Sequence, residues 1–243
     1  NTISARLMDR VGPKAVVTLM KKMGIKSYLP EVPSIALGTP DISLYEMVGA
    51  YSTFVNKGIY IEPIFITRIE DKNGVPIFEV IPKTNDVLSE EAAYVTLNLM
   101  EGVTNYGSGG RLRHSGLEET SYIYKNLITG YPYAFKNSIA GKTGTTQNQS
   151  DGWFMGMVPN LVTGVWVGGE DRSVHFEDIA FGQGATMALP IWAQYMKGAY
   201  SNPDLGISSD DFPAPRVLTI PLDCENINIE SSVKKKDLEE LGF

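Results

Sequence analysis

Apolar positions recur at helical spacing over the first 56 residues and shift to a two-residue alternation around residues 138–168. Ile3, Leu7, Met8 and Val11 form the stripe of a helix over 2–10, interrupted at Gly12-Pro13. Pro13 suits the first position of a second helix, 13–23, which Gly24 ends. Pro30, Pro33, Gly38 and Pro40 mark residues 25–42 as loop. The clearest helix spans 43–56. Ser43 and Glu46 have capping-box spacing, Leu44, Met47, Val48, Tyr51, Phe54 and Val55 share a face, and Gly58 can close it. Residues 60–80 alternate around Asp71-Lys72-Asn73-Gly74 and read as a β-hairpin. Ser89 caps a helix running to 101, stopped by Gly102.

Residues 103–136 hold five glycines and several tyrosines but no sustained period. A loop of that length either roofs a site or is an insertion. Three short runs follow, 138–146, 152–158 and 161–169, the last two joined at Pro159-Asn160. Such close connections predict adjacent antiparallel strands, with Lys142 to Thr145 on the edge. A helix over 186–200 comes next. Residues 201–243, with Pro203, Pro213, Pro215, Pro221 and the run Lys234-Lys235-Lys236, read as an extended tail. Helices, consecutive antiparallel strands and a final helix define an α+β fold, a sheet flanked by helices.

Composition narrows the function. At 43% apolar and 20% charged, the 243 residues match a globular protein. With 21 basic against 28 acidic residues the net charge is −7, which argues against nucleic-acid binding. Cys224 is the single cysteine, so no internal disulfide forms. Only His114 and His175 accompany it, so a classical zinc site is not expected, and no metal or cofactor is assigned. No stretch approaches the ~18 apolar residues of a membrane span. The chain opens on Asn1 rather than Met and reads as a piece of a longer one, so it carries little information on targeting.

The sharpest string is Gly141-Lys142-Thr143-Gly144-Thr145-Thr146. It lacks the upstream glycine and spacer of a phosphate-binding P-loop and sits on a strand instead. Period-two alternation puts Lys142 and Gly144 on one face and Thr143 and Thr145 on the other. An ammonium and two hydroxyls suit a carboxylate, and Gly144 lets a ligand backbone approach.

This K-T-G string is followed by Thr145-Thr146, Asp151-Gly152-Trp153-Phe154, a Pro-Asn turn and Val165-Trp166-Val167-Gly168. Together they resemble the transpeptidase domain of the penicillin-binding proteins, most closely the class A, bifunctional type. Ser34 to Gly38, Leu44 to Gly58 and Ala188-Leu189-Pro190-Ile191-Trp192 extend the likeness over roughly residues 1–200. Residues 1–200 are thus expected to be the C-terminal portion of a transpeptidase domain and 201–243 its tail.

The family carries three motifs, S-x-x-K with the nucleophilic serine, S-x-N, and K-T-G. Only K-T-G is complete here. Asn1, followed by Thr2-Ile3, resembles the end of S-x-N, which would put the S-x-x-K helix ahead of this chain. Two decoys match by pattern alone: Ser231-Ser232-Val233-Lys234 in the charged tail and Tyr124-Lys125-Asn126 in the long loop. Both follow the positions the family would use.

The resemblance implies a serine D,D-transpeptidase that cross-links peptidoglycan stem peptides and is acylated by β-lactams, on the periplasmic side of the inner membrane of bacteria. Lys142 and Asn1 would be catalytic, and Thr143, Gly144 and Thr145 would bind substrate. A membrane anchor would lie upstream, and the segment alone would be inactive and self-associating. Two alternatives stay open: a non-catalytic envelope binding module in which K-T-G is a relic, and a serine β-lactamase-related hydrolase.

Overall fold

A computed structural model describes residues 2–119, 121–127 and 130–222. Helices α1 (Thr2–Val11) and α2 (Pro13–Lys22) meet at the Gly12-Pro13 corner, as the stripe and the break predict. A 3-10 turn, Pro33–Leu37, leads to α3 (Leu44–Val55). Met8, Val17, Met23, Ile25, Leu29, Ile35 and Ala50 bury one another and tie these helices into a cluster.

The capping box at the start of α3 is formed, with the Ser43 hydroxyl accepting from Glu46 N–H. The Glu46 carboxylate does more than cap. It also accepts from the Lys26 N–H at 2.7 Å, the Ser27 N–H at 2.8 Å and the Ser27 hydroxyl at 2.6 Å. Burial pushes its pKa up, but these bonds outweigh burial and bring it down to about 2.

The expected hairpin over 60–80 divides in two. Strands β2 (Arg68–Glu70) and β3 (Pro76–Glu79) pair around the Asp71–Gly74 turn. The preceding β1 (Ile59–Ile61) pairs instead with β4 (Thr84–Asp86). Pro63, which has no N–H to give a ladder, lies between β1 and β2.

Helix α4 (Glu90–Asn105) starts at Ser89, whose hydroxyl accepts from Ala92 N–H. It runs through Gly102, where the sequence predicts its end. Buried Thr104 gives the reason: its hydroxyl donates to Ile139 O at 2.5 Å, anchoring an extra turn against the sheet. The segment read as irregular contains a 3-10 turn, Gly110–Leu112, and α5 (Ser121–Leu127). Leu112, Tyr131 and Tyr133 are buried in the main core. Arg113 fixes this segment's return by donating to Phe135 O and Asn137 O just before the sheet.

The sheet is β5 (Ala140–Thr145), β6 (Asp151–Val158) and β7 (Leu161–Gly168), antiparallel in the order β5-β6-β7. All three runs form strands as read, and β5 is an edge. Two short helices, α6 (Ile179–Gly182) and α7 (Gly184–Met187), precede α8 (Leu189–Tyr200). Trp192 and Met196 of α8 pack with Phe154 and Val158 on one face. Leu97 and Met100 of α4 pack with Ala140 and Met157 on the other, together with Phe212 from the segment after α8. The result is the expected α+β layering of helix, sheet and helix. Phe154 is fully buried, whereas Trp166 is 42% exposed, with its Nε1–H donating to Asp151.

Candidate functional site

Strand alternation decides what the β5 edge presents. Thr146 N–H donates to Asp151 O, so the backbone of even-numbered positions points toward β6. Backbone groups alternate, so those of residues 139, 141, 143 and 145 point off the sheet. Two contacts agree: Ile139 O accepts from Thr104, and Thr143 O accepts from the Lys142 ammonium at 2.6 Å. Helix α4 covers the first part of this edge. At Thr143 and Thr145 the outward backbone N–H groups have no strand beside them among the described residues.

The register pairs Lys142 with Met155, Thr143 with Phe154, Gly144 with Trp153 and Thr145 with Gly152. Lys142 and Gly144 therefore share a face, opposite to Thr143 and Thr145, as the alternation predicts. Lys142 is exposed, yet the protein around it desolvates the ammonium and lowers its pKa. No carboxylate lies within salt-bridge distance of Lys142 among the described residues. Its charge remains available to an incoming anion.

The two threonine hydroxyls are held by other elements. Thr145 Oγ1 accepts from Gly184 N–H at the start of α7, 3.0 Å away. Close approach requires glycine there, since a Cβ would lie 2.2 Å from Gly144 O and 2.5 Å from Trp153 O. Thr143 Oγ1 shares a hydrogen bond of 2.6 Å with the hydroxyl of Ser108, in the turn after α4. Sequence reasoning missed both partners. A glycine-flanked serine after a helix, Gly107-Ser108-Gly109-Gly110, was the available signal.

The other candidates fall elsewhere. Asn1 lies outside the described residues, as do Cys224, Ser231, Lys234 and the lysine run. Tyr124 lies on α5, its ring beneath the Arg111 guanidinium at 4.2 Å and in contact with His114 and Tyr131, a packing role. His114 Nδ1 meets the Tyr131 hydroxyl, and His175 Nδ1 faces Phe176 O, so the histidines do not converge. Among the described residues no group of three or more His, Cys, Asp or Glu could hold a metal ion. No described helix is long and apolar enough to cross a membrane.

An edge strand offering one ammonium, two hydroxyls and outward backbone N–H groups has the donors that a carboxylate and an adjoining carbonyl require. Comparison with known proteins agrees with the motif reading. The family described as the penicillin binding protein transpeptidase domain matches residues 1–170. Penicillin-binding protein 1A of Aquifex aeolicus is 32% identical over 197 residues, which are 81% of this chain and 24% of that protein. Penicillin-binding protein 2D of Bacillus subtilis is 33% identical over 189 residues, 78% of this chain and 25% of the relative. The chain thus spans about a quarter of the length of these curated relatives.

Among solved structures, penicillin-binding protein 1A from Haemophilus influenzae superposes with a TM-score of 0.67 at 25% identity. That match covers 89% of this chain and 34% of the other. The PonA1 protein from Mycobacterium tuberculosis, solved in complex with penicillin V, gives 0.66 at 26% identity, covering 88% of this chain and 56% of the other. The chain belongs to the penicillin-binding protein transpeptidase family, and the resemblance read from its motifs is borne out.

Proposed function

We propose that residues 1–200 are the K-T-G-bearing portion of a peptidoglycan D,D-transpeptidase domain, with 201–243 as its C-terminal tail. The open β5 edge carries this reading: Lys142, without a carboxylate partner among the described residues, beside Thr143 and Thr145. In this role Thr143 and Thr145 bind the terminal carboxylate of a D-Ala-D-Ala stem peptide, and Gly144 admits its backbone. Lys142 supplies positive potential and helps position the serine of the S-x-N motif. Asn1 hydrogen-bonds the substrate amide.

The reaction is acyl transfer. A serine activated by a neighbouring lysine attacks the carbonyl of the penultimate residue, forms an acyl-enzyme and releases the terminal D-alanine. The outward N–H of Thr145 is one donor of the oxyanion hole, and the N–H of the nucleophilic serine is the other. β-Lactams acylate the same serine. The complete protein acts on the periplasmic side of the inner membrane, anchored by a segment upstream.

We place the nucleophile outside these 243 residues, since Ser231 follows K-T-G instead of preceding it. Loss of the nucleophile costs a serine hydrolase ~10⁶ in turnover. Incubation with a fluorescent penicillin should therefore leave the chain unlabelled. A stoichiometric adduct mapped to Ser231 would overturn the assignment.

A further inference from the structure

The K-T-G threonines can serve an anion only as donors, and a hydroxyl donates one hydrogen in one direction at a time. Each threonine hydroxyl here meets a partner in the protein. Thr145 Oγ1 takes the Gly184 N–H, so its own hydrogen is free to turn outward. Thr143 Oγ1 lies 2.6 Å from Ser108 Oγ, and either hydroxyl can be the donor in that pair. When Ser108 donates, Thr143 is in the same state as Thr145. Its acceptor is filled and its hydrogen is available to a ligand. A hydroxyl that accepts one hydrogen bond also donates a stronger one.

The segment bearing Ser108 is built to hold that position. Gly107 N–H donates to Gly102 O and Gly109 N–H to Val103 O, folding the turn back onto the end of α4. The fold-back is tight, for a Cβ on Gly107 would lie 2.9 Å from Val103 Cα. Three residues beyond Ser108, Arg111 donates to Ala185 O at 3.1 Å and Thr186 Oγ1 at 2.8 Å, fastening α7 from the other side. Its guanidinium is itself braced on the Tyr124 ring. One segment thus reaches both threonines, Thr143 directly through Ser108 and Thr145 through Arg111, α7 and the Gly184 N–H.

We propose that Ser108 is a positioning residue for the substrate carboxylate, fixing Thr143 as a hydrogen-bond donor on the open β5 edge, with Arg111 fixing Thr145 through α7. The inference rests on the carboxylate-binding role proposed above for the K-T-G strand and adds to it the residues that set the direction of its hydroxyls. Ser108 acts through Thr143. Its loss weakens recognition of the anion while the fold and the Lys142 charge persist.

The test is an NMR titration of the chain with two probes, an N-acetylated D-Ala-D-Ala peptide with a free carboxylate and the same peptide with a C-terminal amide. The wild-type chain should prefer the carboxylate. Ser108→Ala should weaken carboxylate binding about three- to tenfold, the worth of one hydrogen bond, and leave amide binding and the melting temperature unchanged. Ser108→Thr should restore the preference. Ser108→Asp, which can only accept, should turn the Thr143 hydrogen inward and abolish the preference.

A Ser108→Ala chain that keeps the full preference, while Thr143→Val loses it, overturns the inference and leaves the reading of the strand standing. A Ser108→Asp chain with wild-type preference overturns it equally. A wild-type chain that binds both probes alike refutes the reading of the strand, and the inference with it.

Discussion

Lys142 combines exposure with a pKa lowered by burial, and the combination has a pH signature. A lysine below its ordinary value of 10.5 loses its charge earlier as pH rises. Carboxylate affinity should therefore hold at neutral pH and fall as pH climbs through the lowered pKa, ahead of any titration of ordinary lysines. Lys142→Ala should cost about 10- to 100-fold in affinity at neutral pH, the range for a charge-assisted bond, and should flatten the profile. Titrating the Lys142 side chain by ¹³C NMR alongside binding checks both. Equal profiles for Lys142→Ala and wild type would remove this lysine from the site. At this scale the placing of Lys142, Thr143 and Thr145 on alternate faces of one strand was legible because it follows from residues adjacent in sequence. Ser108 and Gly184 were not, because they meet the strand across 35 and 39 residues, a separation that leaves no period in sequence.

The elements that could be read were those whose signals are local. The α3 capping box and the Pro159-Asn160 connection lie within a few residues of what they organise, and both formed as read. The end of α4 was misread because a glycine's weak helix propensity was overridden by one buried bond from Thr104. The hairpin at 60–80 was half misread because β1 takes a partner, β4, beyond the assumed turn. The helix predicted over 186–200 took in only the end of α7 and left out Gly184, although the contact of α7 with β5 depends on that residue's missing side chain. Gly184→Ala places a methyl group against Gly144 O and Trp153 O and should lift α7 from the strand. The expected cost is about 1–3 kcal/mol, with faster exchange of the Gly184-position amide than of the β5–β6 ladder. An unchanged melting temperature and unchanged exchange would show that α7 does not brace the strand.

For the whole molecule, the layered fold was legible from the order of its elements, but its exposed surfaces were not. The outer edge of β7 has no strand beside it among the described residues. An apolar groove of about 630 Å³, lined by Tyr45, Val48, Ile64, Phe65, Pro159 and Val162, runs next to it. Phe65 is 85% exposed, and Ile81, farther along the chain, 89%. Open edges and apolar surface of this kind promote association. The chain should form a dimer or larger species, measured by light scattering across a dilution series; a concentration-independent monomer with a sharp thermal transition would refute this. The order of assembly follows from the same connectivity. Strands β5 to β7 pair with their chain neighbours, so the sheet closes short loops and forms early. The bonds from Ser108 and Gly184 to the threonines close loops of 35 and 39 residues and are made later than the sheet. During refolding the chain therefore passes through a stage in which the sheet is complete and the hydroxyls on its edge still rotate freely, so recovery of ligand binding should lag behind recovery of secondary structure.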